Sequence, residues 1–356
     1  MGCLLCCVVS EVFSCTHRTC KCFCPTSRIH ANVAYLCLFC LMALLAFVMQ
    51  HWGAPNVDLY SYNIGCTDIP GIDVSACKGE QAAYRICIGT TIWFTILAIG
   101  SRFSDTVHDG LWLVKCVGLV ALVVGLFFVP MLGQYGYIQC ARIISTLFLV
   151  AQIVSFIDLA YTWNNNLVNR RLFNVVLGLC ALLALTIAVM LVIFFVHYAN
   201  CERQTVFIAL TLIVIVLFTA LQLNTSDTEN SLLTSCIVAL YCTYLCWSAV
   251  SADTCNDDDS SDAQLVVGAM VTIVSLAWTC YTTGKSQSNS LFHVVFAIGT
   301  VYVSMLLTNW GTIAGMRSEV RMWVTIASQW TVCLVYVWTI LAPKWLPDRD
   351  FHIVDN

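Results

Sequence analysis

Residues 172–196 read LFNVVLGLCALLALTIAVMLVIFFV, a run without one charged side chain and longer than the roughly 20 residues an α-helix needs to cross a bilayer core. Working outward, similar apolar runs recur between polar clusters. They predict helices near 31–50, 82–101, 111–131, 137–163, 205–223, 232–251, 264–283, 291–309 and 321–342. Together with 172–196 they fill over half of the 356 residues. Composition agrees: 60% of the chain is hydrophobic and 10% charged, whereas soluble domains carry about a quarter charged residues. No water-soluble fold buries that much apolar surface. The chain is therefore predicted to be an all-α polytopic integral membrane protein with about ten transmembrane helices. A Cys-rich tail occupies 1–30, the transmembrane domain 31–342 and a second tail 343–356.

The net charge of −4 and the absence of a basic block exclude nucleic acid as a partner and leave the bilayer as the one composition names. Met1 to Val9 lacks the cationic start and long apolar run of a cleavable signal peptide, so the first span is expected to insert as its own signal. Orientation follows from the 16 Lys and Arg, which cytosolic loops retain. With the N-terminus inside, cytosolic segments hold Arg18, Lys21, Arg28, Arg102, Arg170, Arg171, Lys285, Lys344 and Arg349, against Lys78, Arg203, Arg317 and Arg321 outside. An even number of spans then puts both termini in the cytosol. Trp52, Trp112, Trp163, Trp310, Trp323 and Trp345 fall near predicted helix ends, where an indole prefers the headgroup level. The fourth segment, Tyr137 to Trp163, would be about 40 Å long at 1.5 Å per residue, so it is expected to cross tilted or to project from the bilayer.

Topology sorts the 22 cysteines. Seven crowd the cytosolic tail, among them Cys3, Cys6 and Cys7, and juxtamembrane cysteines are acylation sites. Zinc binding is the rival reading, but Cys20-x-Cys22-x-Cys24 lacks the two-residue gaps of a zinc knuckle. On the outer side Cys66 and Cys77 are expected to form a disulfide, and Cys201 and Cys255 are a second candidate pair joining two loops.

Ionisable residues at membrane depth mark functional sites by default, because a charge there is costly. Lys115 and Asp158 lie at similar shallow depth on neighbouring antiparallel helices. Either they approach each other, or Lys115 reaches for the headgroups while Asp158 is solvated locally. Arg85 and Arg142, near outer helix ends, carry forks suited to lipid phosphate, with plain snorkelling as the alternative. The chain has no H-E-x-x-H, no nucleophile elbow and no phosphate-cradling glycine loop, so no enzyme, cofactor or metal site is expected. The acidic loop Asp257 to Asp262 lacks the Gly and closing Glu of an EF-hand, and the sequon at Asn224 falls on the cytosolic side.

Several strings resemble the serine incorporator (Serinc) family. They are Tyr84-Arg85-Ile86-Cys87, Val107-His108-Asp109-Gly110-Leu111-Trp112-Leu113-Val114-Lys115, Ile157-Asp158-Leu159-Ala160-Tyr161-Thr162-Trp163-Asn164, Leu240 to Ala249 (LYCTYLCWSA), Ser290-Leu291-Phe292-His293, and Tyr336 to Pro343 followed by Arg349-Asp350-Phe351. The resemblance runs in order along the whole chain. Departures are deletions: the outer loop after Cys255-Asn256 and the cytosolic loop Gly284 to Ser290 are shorter than is usual in the family.

The resemblance implies ten helices in two bundles crossed by a long tilted helix, with lipid in a membrane-exposed groove. It also implies one of two activities. The first is energy-independent scrambling of phosphatidylserine and other phospholipids; on that reading we expect Arg85 and Arg142 to receive phosphate outside and Lys115, Asp158 and Asn164 to shape the inner end. The second is support of phosphatidylserine and sphingolipid synthesis by binding biosynthetic enzymes or delivering serine. A small-solute transporter would want midplane charge pairs and broken helices, which are not evident. The expected location is the plasma membrane or an endomembrane of the Golgi, endosome or endoplasmic reticulum.

Overall fold

The computed structural model describes residues 28–54, 74–129, 134–169, 172–198, 201–223, 232–252, 261–285, 289–311 and 319–345. The regular elements among them are all helices: α1 (Arg28–Val48, continued by a π-helical turn Met49–Gly53), α2 (Val74–Phe103), the short α3 (Asp105–Asp109), α4 (Trp112–Phe127), α5 (Gln134–Asn169), α6 (Phe173–Tyr198), α7 (Glu202–Leu223), α8 (Leu232–Val250), α9 (Ser261–Lys285), α10 (Asn289–Leu307) and α11 (Glu319–Trp345). Every predicted span has its helix, and among the described residues nine are long and apolar enough to cross a membrane. The exception is α4. It starts behind Leu111, held left-handed at φ 60°, and its 16 residues reach only about 24 Å.

Hydroxyl residues inside the spans return their hydrogen bond to the preceding turn, as Thr90 does to the Ile86 carbonyl and Thr243 to that of Ala239, both at 2.8 Å. Their polarity therefore costs little where no water is present.

The chain divides into two compact units. The first comprises α1–α4, the start of α5 to Phe148, α9 and α10. Its centre is the α2–α10 pair, with α1, α4 and α9 packed around it. The α2–α4 contact is reciprocal: a Cβ at Gly118 would lie 2.5 Å from the Trp93 ring, and one at Gly89 would lie 2.8 Å from Val123. Such small residues let helix backbones approach where no hydrophobic effect draws them together. α4 rests on α2 by this one face, and its other side exposes Leu113, Val114, Val117, Val120 and Val124.

The second unit holds the rest of α5 with α6, α7, α8 and α11. α8 is its core, 78% buried and packed by α6, α7 and α11, whereas α6 is only 22% buried. The α6 surface carries exposed Leu177, Leu182, Leu185, Val192 and Val196, a face that suits hydrocarbon and not water. Inside the unit the Ser235 and Tyr336 hydroxyls meet at 2.6 Å, Gln329 Nε2 donates to Thr211 Oγ1 at 2.8 Å, and Tyr241 donates to Gln152 Oε1 at 3.0 Å. Each buried polar group thus ties one helix to another.

Candidate functional site

The long α5 has 36 residues, about 54 Å at 1.5 Å per residue, well beyond a hydrocarbon core of about 30 Å. Apolar side chains such as Ile143, Leu147 and Val154 are exposed along it. Among them stand partly exposed polar residues: Gln139, Arg142 and Thr146 in the first unit, and Ser155, Asp158, Thr162 and Asn164 in the second. These polar positions fall in two groups, 139–146 and 155–164, separated by residues 147–154, whose one polar side chain, Gln152, is buried.

Arg142 is tied down by three hydrogen bonds. Its Nε and Nη2 both donate to the Trp310 carbonyl, at 3.1 and 2.9 Å, and Nη1 reaches Gln139 Oε1 at 3.4 Å. That carbonyl is free because α10 ends in three left-handed residues, Asn309 (φ 47°), Trp310 (φ 62°) and Gly311 (φ 70°). Only glycine fits the last, since a Cβ there would lie 2.6 Å from Ile138 Cγ2.

Arg85 departs from expectation. It is 1% exposed and donates to Gln81 Oε1 at 3.1 Å and to the Val129 carbonyl at 3.4 Å. Its fork is turned into protein and not toward lipid phosphate. The reason is its place on α2, the central helix of the first unit.

Lys115 departs likewise. It neither snorkels nor ion-pairs among the described residues: it is 4% exposed, and its Nζ donates to the His108 carbonyl at 2.8 Å. The Trp112 and Tyr35 rings lie beneath it with centroids at 4.8 and 5.2 Å. Asp158 belongs to the second unit.

Around Lys115 the structure assembles residues that the sequence analysis did not place together. Asn32 Nδ2 donates to the Cys280 carbonyl at 2.9 Å, which turns its Oδ1 toward His108 Nε2 at 3.0 Å. His108 must then carry its proton on Nε2 and accept at Nδ1, so His293 Nε2, 3.0 Å away, is the donor. The tautomers follow from the amide's orientation. His293 Nδ1 is left as a buried acceptor with no partner among the described residues. Phe292, Phe94 and Tyr35 pack against this chain of rings.

Cys77 and Cys201 are disulfide-bonded, while Cys66, Cys255, Cys3, Cys6 and Cys7 lie outside the described residues. No group of His, Cys, Asp and Glu fit to hold a metal occurs among the described residues.

The family model for Serine incorporator (Serinc) matches residues 5–291 and 282–349. The chain is a member of the Serinc family. Similar Serinc proteins include a "Probable serine incorporator" of Monosiga brevicollis, 25% identical over 97% of this chain and 96% of that protein. Another of Nematostella vectensis is 26% identical over 77% and 81%, and "Serine incorporator 2" of Homo sapiens is 25% identical over 98% and 99%. The Monosiga alignment extends over 469 positions against 356 residues here, so that Serinc protein has insertions this one lacks. The two Serinc matches meet at 282–291, around the short connection between α9 and α10.

Proposed function

We propose that this Serinc protein is a non-enzymatic phospholipid scramblase, moving phosphatidylserine and other headgroups between leaflets along a membrane-exposed groove on α5. One observation supports the reading: a helix longer than the bilayer carries two groups of exposed or partly exposed polar side chains, Gln139, Arg142 and Thr146, and Ser155, Asp158, Thr162 and Asn164. Stations of this kind lower the barrier a headgroup meets in hydrocarbon, where an unsatisfied polar group costs several kcal/mol. Arg142 would receive phosphate, and Asp158 the headgroup ammonium.

The name shared by the relatives favours a second reading, in which the chain serves phosphatidylserine and sphingolipid synthesis as a scaffold or by delivering serine. Both readings place the N-terminus in the cytosol, with Cys3, Cys6 and Cys7 acylated, and pair Cys66 with Cys77 and Cys201 with Cys255 in the outer loops. Purified chain reconstituted in liposomes with a fluorescent headgroup lipid separates the two. Scrambling exposes inner-leaflet probe to an impermeant reductant, bleaching nearly all fluorescence, whereas the scaffold leaves about half protected, as in empty vesicles.

A further inference from the structure

An ammonium group offers three N–H donors, and at membrane depth it normally faces a counter-charge or a wet cavity. Lys115 has neither a carboxylate partner among the described residues nor appreciable exposure. Its surroundings are one oxygen, the His108 carbonyl, and two π faces, Trp112 and Tyr35. The rings lie 4.6 Å apart at 45°, and the Tyr35 hydroxyl donates to the same carbonyl at 2.9 Å. That oxygen is available because Leu111 turns left-handed just beyond α3, so no helix continues to cover it. Two aromatic faces and a carbonyl directed at one cation are the components of an ammonium cage.

The walls differ in burial. Tyr35 and His108 are fully buried, whereas Trp112 is partly exposed and tethered by its Nε1 to the Asp109 carbonyl at 3.2 Å. The Asp109 carboxylate, 45% exposed, lies 4.0 Å from His108 Nε2. Leu113, Val114 and Val117, beside the cage on α4, are each about half exposed and give acyl chains a surface to lie on.

We propose that the Tyr35, Trp112 and His108-carbonyl cage is a binding site for a primary ammonium, with Lys115 as a tethered occupant that a lipid headgroup or a free amine displaces. A donor-bearing ammonium fits better than a quaternary one, which cannot hydrogen-bond the carbonyl. The site stands whether the chain moves lipid or delivers serine, because phosphatidylserine and serine both carry this group.

The test uses the full chain in phosphatidylcholine nanodiscs. Lys115→Ala unfolds about 5 °C or more below the unmodified chain, and methylammonium chloride recovers at least half the loss while tetramethylammonium chloride does not. Lys115→Met, which fills the cage with an apolar chain, responds to neither. Recovery on substituting phosphatidylethanolamine, with no added amine, assigns the site to a lipid headgroup; recovery by methylammonium alone assigns it to a free amine. No recovery from either source, or an equal response from Lys115→Met, overturns the proposal.

Should Lys115→Ala not fold, the unmodified chain serves. Acetylation of Lys115, followed by peptide mass spectrometry with reagent in excess, is expected to run about tenfold faster with at least one of the two amine sources, a shift of about 1.4 kcal/mol in the opening equilibrium. An unchanged rate with both overturns the site. Neither readout measures lipid movement, so failure here and failure of scrambling are distinct results.

Discussion

His108 joins two bonds that depend on it in opposite senses: its Nε2 donates to Asn32 Oδ1 and its Nδ1 accepts from His293. Replacing it by Leu leaves a buried acceptor on Asn32 and a buried donor on His293, each costing about 1–3 kcal/mol. His293→Leu strands only the acceptor on His108 and also removes an Nδ1 that already has no partner among the described residues. His108→Leu is therefore expected to destabilise by about 2–5 kcal/mol and His293→Leu by clearly less, measured as thermal unfolding of the purified chain; the reverse order would contradict the bridging role of His108. This chain of groups was hidden from the sequence because its partners are 76 and 185 positions apart. Lys115 and Arg142 were legible, since a cation in an apolar run is conspicuous. Their partners were not, because both are backbone carbonyls, which every residue possesses.

At the scale of elements, apolar run length alone located ten helices, because a bilayer imposes a length that soluble cores do not. Ends were less legible where polar residues continue a helix past the hydrocarbon. Val74 to Gln81 contains Lys78, Glu80 and Gln81 and reads as loop, yet it forms the first turns of α2. α5 outruns its predicted bounds at both ends for the same reason, running on through Asn164, Asn165 and Asn166. Pairing of helices left fainter traces, since a glycine's role depends on what it meets. Gly118→Leu would drive a side chain into Trp93 and should cost about 1–3 kcal/mol, with faster hydrogen exchange confined to 112–127. Exchange unchanged in α4 would show that this helix is not held by its α2 contact.

For the whole molecule, the apolar composition and the exposed apolar faces agree on a lipid environment. Sidedness is the next property to fix. The native sequon at Asn224 should stay unmodified in a glycosylating host, while one introduced within 253–260 should be used; the opposite pattern would invert the proposed topology. Movement of lipid is the central claim, and the most direct measurement compares the unmodified chain with an Arg142→Ala, Asp158→Ala double variant in the liposome assay. The account predicts rapid bleaching of inner-leaflet probe by the unmodified chain, slowed about tenfold or more in the variant, as expected if each station lowers the barrier by about 1 kcal/mol. Bleaching by the folded, unmodified chain no faster than in protein-free vesicles, or an identical rate in the variant, would contradict it.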